Sequence, residues 1–287
     1  MLLVRRSRQG RAWAPALLLP ALLLALATGA CTTSPTSPSA AAGTGTLVVG
    51  AASRGPDAAP NVEIPAPTQA IGATRFVAFG DSITAGVLSE VFDGMFLADE
   101  AGSYPTLLRN AFIQYHQPQV FTVFNEGVPG ETARVGADRL PGVLTERRPQ
   151  VLMLLEGIND MATAGRSAEQ TAANVHYMVE TARLFNCTVL VATMPQTYYS
   201  LDPGGPNRPP RERFNATEKI VPFNTELRRL VSGMQNVHVV DLYAAFGSDR
   251  SMMGSDGLHP SPAGYYRMAE TFYNTIRAVF RVRGSLQ

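Results

Sequence analysis

From Thr74 onward, apolar runs of strand length alternate with stretches of helical period, and no other feature restricts the fold of this chain as tightly. Such alternation is what βα units require, because parallel neighbours can be joined only by a crossover long enough to return along the sheet. Five runs read as strands: Arg75–Phe79, Val120–Asn125, Val151–Glu156, Thr188–Thr193 and Val237–Asp241. The expected fold class is α/β, a three-layer α/β/α sandwich on a mainly parallel five-stranded sheet.

The intervening helices differ in clarity. One opens with Ser167 and Gln170 in capping-box spacing and sets Val175, Met178, Val179 and Ala182 on one face. Another starts at Ser261-Pro262, a cap followed by proline at the first helical position, and is expected to bury Tyr265, Met268, Ala269, Phe272, Ile276 and Val279. Thr132–Glu146 is interrupted by Leu140-Pro141, which predicts a kink or two short helices. Leu88–Ser103 and Gln196–Arg213 read as long irregular loops following strands, expected to wall a site at the sheet edge.

The amino-terminal part has a different character. Arg5, Arg6, Arg8 and Arg11 precede an uncharged stretch, Ala12–Ala30, rich in Ala and Leu, so residues 1–30 read as an export signal. The stretch ends Ala-Thr-Gly-Ala-Cys, which resembles a bacterial lipoprotein signal in which Cys31 becomes the acylated first residue. Residues 31–72 are mainly Ala, Ser, Thr, Pro and Gly and cannot bury enough apolar surface to offset ordering, so a disordered tether is expected there, Thr46–Val49 included. The folded domain is expected over 73–283. Export and a lipid on Cys31 would place it as a membrane-anchored protein of the bacterial periplasm or cell envelope; with ordinary secretory cleavage it would be secreted.

The whole chain has 24 basic against 23 acidic groups. Loss of the four signal arginines leaves it mildly acidic, with no basic patch that points to nucleic acid. There are 2 cysteines, and with Cys31 acylated none is left to pair with Cys187, which opens an apolar run and reads as a small core residue. A monomer is expected.

Chemistry concentrates at strand ends. Gly80-Asp81-Ser82-Ile83 follows the first strand, at the carboxyl edge where open α/β sheets bind ligands. Ser82 there is a helix cap or a nucleophile. Thr84 excludes the Gly-x-Ser-x-Gly elbow, and Val87-Leu88 after Gly86 excludes a phosphate-binding loop. A nucleophilic serine needs a base, and there are 4 histidines, His116, His176, His238 and His259. Only His259 lies in a loop with a carboxylate close by, in Asp256-Gly257-Leu258-His259-Pro260, where Asp256 could fix its tautomer. No cluster completes a metal site around that pair, and no cofactor is implied. Asn125–Thr132, a glycine-rich turn entering a helix, and Gly157-Ile158-Asn159-Asp160 end the next two strands and offer N–H and amide donors for an oxyanion.

In this order the four stretches resemble the signature blocks of the SGNH, or GDSL, hydrolase superfamily, with Ile83 in place of the usual leucine. The resemblance implies a flavodoxin-like fold and assigns Ser82 as nucleophile, Gly130 and Asn159 as oxyanion donors, His259 as base and Asp256 as its orienting acid. It implies a cofactor-free ester hydrolase, and covers the reaction rather than the substrate; short acyl or acetyl esters or lysophospholipids are the substrates expected here. Two other readings stand beside this: an acyltransferase to a sugar or alcohol acceptor, and a non-catalytic binding lipoprotein.

Overall fold

Phe76, Val77, Ala78 and Phe79 are all fully buried, and successive strand residues face opposite ways, so the sheet is covered on both sides. The computed structural model describes residues 70–92, 95–202, 211–213 and 216–282. The expected signal segment, the expected lipid on Cys31 and residues 31–69 of the expected tether lie outside the described residues, whereas its last residues are ordered, with Ile71 buried and paired with Arg281.

In chain order the elements are β1 (Arg75–Gly80), α1 (Ser82–Ala85), β2 (Val87–Phe92), β3 (Met95–Ala98), α2 (Tyr104–Tyr115), β4 (Thr122–Gly127) and α3 (Ala133–Arg147). There follow β5 (Val151–Leu155), α4 (Ile158–Ala162), α5 (Ala168–Leu184), β6 (Thr188–Ala192), β7 (Ser200–Asp202) and β8 (Arg211–Arg213). The last are α6 (Ile220–Val231), β9 (Val237–Val240), α7 (Leu242–Phe246) and α8 (Pro262–Phe280), with short 3-10 turns at Thr217–Lys219 and Arg250–Met252.

Five strands form one sheet in the order β4-β1-β5-β6-β9, every pair parallel. This is the flavodoxin-type order, in which the chain steps outward in one direction from β1 to β4 and then returns to the other side with β5. The switch leaves a crevice at the carboxyl ends of β1, β4 and β5. Helices cover the sheet: α2 packs against α8, while α5 packs against α3 and α6. The expected α/β architecture is what the structure shows.

Local chemistry accounts for the clearest helices. Both arms of the Ser167–Gln170 capping box form at 3.2 Å and open α5. The Ser261 hydroxyl accepts from Gly264 N at 3.2 Å and opens α8, whose buried face gains Tyr273, while Val279 is only half-buried.

Several expectations need correction. The second strand begins at Thr122, not at Val120, which is 83% exposed. Pro141 neither splits nor ends α3, which runs unbroken from Ala133 to Arg147. Burial of Ala137, Leu140, Val143 and Leu144 along one face outweighs the one backbone hydrogen bond that proline forfeits. The two irregular loops contain antiparallel hairpins, β2–β3 and β7–β8.

Candidate active site

Backbone geometry fixes Ser82. After β1 the chain turns through Asp81, whose carboxylate accepts from Ile83 N at 2.9 Å, and α1 begins at Ser82. The Ser82 N–H, first in that helix, has no partner within it.

Ser82 Oγ lies 2.9 Å from His259 Nε2, and His259 Nδ1 lies 2.6 Å from Asp256 Oδ2. The other carboxylate oxygen of Asp256 accepts from Leu258 N and His259 N, each at 2.9 Å, so the loop's own backbone aims the acid. Burial pushes the Asp256 carboxyl up, but its bond to His259 and these two N–H groups outweigh that and hold it below its ordinary value. An ionised Asp256 can only accept, which places the imidazole hydrogen on Nδ1 and leaves Nε2 to receive the Ser82 proton. The remaining histidines are elsewhere: His116 is buried 3.0 Å from Tyr273 Oη, His176 sits on α5 beside Glu180, and His238 lies in β9.

Two further strand ends meet this line. Between β4 and α3, Gly130 adopts a left-handed backbone at φ 80, which only glycine takes without strain. The turn is anchored to β1 by Val128 N donating to Gly80 O at 2.9 Å. Asn159, on α4, donates from Nδ2 to Glu131 O at 2.9 Å, with Asp81 Oδ2 at 3.5 Å as a weaker second acceptor. One amide hydrogen thus ties down the Gly130 turn and the other is loosely held. Helix α4 is itself pinned, because Asp160 Oδ2 accepts from Ala133 N at 2.6 Å and Lys219 Nζ donates to Met161 O and Arg166 O at 3.1 and 2.8 Å. Ser82, Gly130, Asn159, Asp256 and His259, singled out from sequence, therefore stand at one edge of one sheet.

Residues 78–267 match the model of the GDSL-like lipase/acylhydrolase family. The chain belongs to that family. This GDSL hydrolase is 24% identical to esterase TesA of Pseudomonas aeruginosa over 217 residues, which is 73% of this chain and 91% of that protein. Its fold resembles a carbohydrate acetylesterase from Sinorhizobium meliloti, at a TM-score of 0.60 and 19% identity, covering 72% of this chain and 100% of the other. An aryl esterase from M. smegmatis gives a TM-score of 0.60 and 21% identity, over 72% of this chain and 100% of that one. Membership makes the chain an ester hydrolase.

The GDSL hydrolase also gathers four carboxyls that sequence reasoning gave no role: Asp81, Glu131, Glu156 and Asp160, all buried. Burial lifts Asp81 to about 7, with the Glu131 and Asp160 carboxylates adding to the rise and the Ile83 N–H and His259 opposing it. Burial, then Asp81 and Glu131, raise Glu156 well above the usual carboxylate range, and burial also raises Asp160. Glu131 instead meets a cation, Arg139, in a two-pronged ion pair. The signal for it was present as an acid just before α3 and an arginine two turns inside it.

Two anchors hold the loop bearing the base. Tyr198 N donates to Gly257 O at 2.8 Å, and Ser255 N donates to Ser89 Oγ at 3.2 Å. Strand β2, through Ser89, and the segment leading into β7, through Tyr198, thus bond to the base loop and the residue before it.

Proposed function

We propose that this hydrolase cleaves carboxylic esters through an acyl-serine intermediate, with Ser82 as nucleophile, His259 as general base and then acid, and Asp256 as the residue that orients and charge-balances the imidazole. The continuous line Ser82–His259–Asp256, with contacts of 2.9 and 2.6 Å, is the observation that carries this reading. His259 Nε2 takes the hydroxyl proton as Oγ attacks the ester carbonyl, giving a tetrahedral oxyanion. The N–H groups of Ser82 and Gly130 and the second Asn159 amide hydrogen receive that charge. Collapse passes the proton to the leaving alkoxide and releases the alcohol. Water, deprotonated by the same imidazole, then attacks the acyl-serine and releases the acid.

The substrate class we propose is short acyl or acetyl esters or lysophospholipids. The carbohydrate acetylesterase whose fold it shares favours the short-acyl end of that range.

A rate series over p-nitrophenyl esters of increasing chain length, acetylated sugars and lysophosphatidylcholine tests both parts. We expect the highest kcat/KM on acetyl to butyryl esters. Ser82→Ala is expected to lose about 10⁴-fold or more of kcat/KM, on the scale seen when a nucleophile of this type is removed. A fluorophosphonate should label the parent protein on the Ser82 peptide. An active Ser82→Ala protein would overturn the mechanism, and a preference for long-chain lysophospholipids would overturn the short-acyl assignment.

A further inference from the structure

Gly130 and Asn159 meet at one residue, Glu131, and Glu131 is held by Arg139. The Glu131 side chain is 3% exposed and lies 2.6 Å from Arg139 Nη2. Arg139 Nε donates to its other oxygen at 2.9 Å, so the guanidinium fork closes on both oxygens of the carboxylate. The same Nη2 donates to Glu126 O at 3.0 Å, at the end of β4, and the guanidinium carbon lies 4.0 Å over the ring of Phe79, at the end of β1. One side chain thus joins β1, β4 and the turn after β4.

We propose that Arg139 is the positioning residue of the oxyanion hole, clamping Glu131 so that the Gly130 N–H and the Asn159 amide share one fixed geometry. Glu131 is gripped from two sides. Asn159 Nδ2 holds its backbone carbonyl at 2.9 Å, and Arg139 holds its side chain. Gly130 lies between that grip and the Val128 N to Gly80 O bond at 2.9 Å. If the fork is lost, the left-handed Gly130 turn can rotate and Asn159 loses the fixed acceptor that aims its second hydrogen.

Charge acts in the same direction. The oxyanion would form at the sheet edge that also carries the buried carboxyls Asp81, Glu131, Glu156 and Asp160. Arg139 is the cation that pairs with Glu131, so its removal leaves a buried carboxylate without its cation, one residue from the Gly130 donor. An ion pair kept only for stability could be replaced by apolar residues with little loss, since buried pairs often contribute nothing net. A pair built to aim donors could not. Lysine would be a partial substitute, because it carries the charge without the fork.

The inference rests on the acyl-serine reading, and the full chain tests the two separately. Arg139→Met, Arg139→Lys and Glu131→Gln are compared with the parent for kcat and KM on p-nitrophenyl acetate, with rates normalised to phosphonate-titrated sites. An alkylboronic acid, which forms a tetrahedral anion on serine, supplies an inhibition constant. Acylation and deacylation use the same donors, so kcat is expected to fall while KM stays within about twofold. Removing one oxyanion donor outright costs about 10²- to 10³-fold, so displacing donors should cost roughly 10- to 100-fold in Arg139→Met. Arg139→Lys should recover part of that loss, and the boronate constant should weaken by the same factor as kcat.

If Arg139→Met does not fold, Arg139→Lys and Glu131→Gln decide the matter. Unchanged kcat and boronate affinity in both would overturn the proposal, as would a loss confined to KM or to melting temperature. An active Ser82→Ala protein would instead strike at the acyl-serine reading. An inactive Ser82→Ala protein beside fully active Arg139 variants would strike at this inference alone.

Discussion

Asp81 holds two positions in conflict. Its Oδ1 caps the turn that presents Ser82, accepting from Ile83 N at 2.9 Å, while its burial among carboxyls lifts it to about 7 from an ordinary 3.8. Between those two values the folded protein keeps a proton that the unfolded chain gives up. Stability therefore falls as pH rises through that window and levels off above it. Asp81→Asn keeps the capping oxygen and cannot ionise, and it also relieves the charge that raises Glu156. Its melting temperature is expected to exceed the parent's at pH 8, with the gap closing toward pH 4. Melts across that range check this, and parallel curves would show that Asp81 does not titrate there. Ser82, Asp256 and His259 could be read from their motifs because each contact that aims them is local or follows from the fold. Asp81 stood in the same motif, but its charge state could not be read. Its burial, and the Glu131 and Asp160 carboxylates that add to the rise, come about only when segments distant in sequence converge as β1, β4 and β5 align.

At the scale of elements, α1 and β4 are packed backbone to backbone. Gly127 ends β4 directly under α1, and a Cβ there would run into the backbone of Ala85 and Thr84. The segment carrying Ser82 would have to lift off the sheet. Overpacking of this kind costs about 1–3 kcal/mol, and backbone atoms cannot rotate aside as a side chain can. Gly127→Ala is therefore expected to lose stability by that amount in urea titrations. It should also lose at least about tenfold in kcat/KM on p-nitrophenyl acetate, because a shift of an ångström at the nucleophile is costly. Parent-like activity would show that α1 can yield without moving Ser82. In the sequence Gly127 belonged to a glycine-rich turn, and nothing there showed which backbone would lie on it. The β2–β3 and β7–β8 hairpins were illegible for a related reason. Neither joins the main sheet, so neither follows its βα rhythm, and the contacts that seat them, at Ser89 within β2 and Tyr198 before β7, come from the distant base loop.

In the whole molecule the site and the chain ends of the described domain lie at opposite edges of the sheet. Residues 70–73 enter at the amino edge of β1, and Ser82 leaves its carboxyl edge, six strand residues or about 20 Å away. That entry is clasped. Gly72 N donates to Phe280 O at 2.8 Å and Val282 N to Ala70 O at 3.1 Å, while Gln119 bonds both N and O of Ile71 at 2.9 Å. Ile71 is 4% exposed and Ala73 2%. A chain beginning at Ala70 keeps all of these contacts, and one beginning at Thr74 loses every one. Burial of an isoleucine is worth about 1.5–3 kcal/mol, so the shorter chain should be less stable by at least that much. The two should nevertheless share one kcat per titrated site, because none of the lost contacts reaches the crevice. Urea unfolding and site-normalised kinetics on the pair separate these effects. Equal stability would mean that the clasp contributes nothing. A lower kcat in the shorter chain would mean that the amino edge of β1 governs how its carboxyl edge presents Ser82.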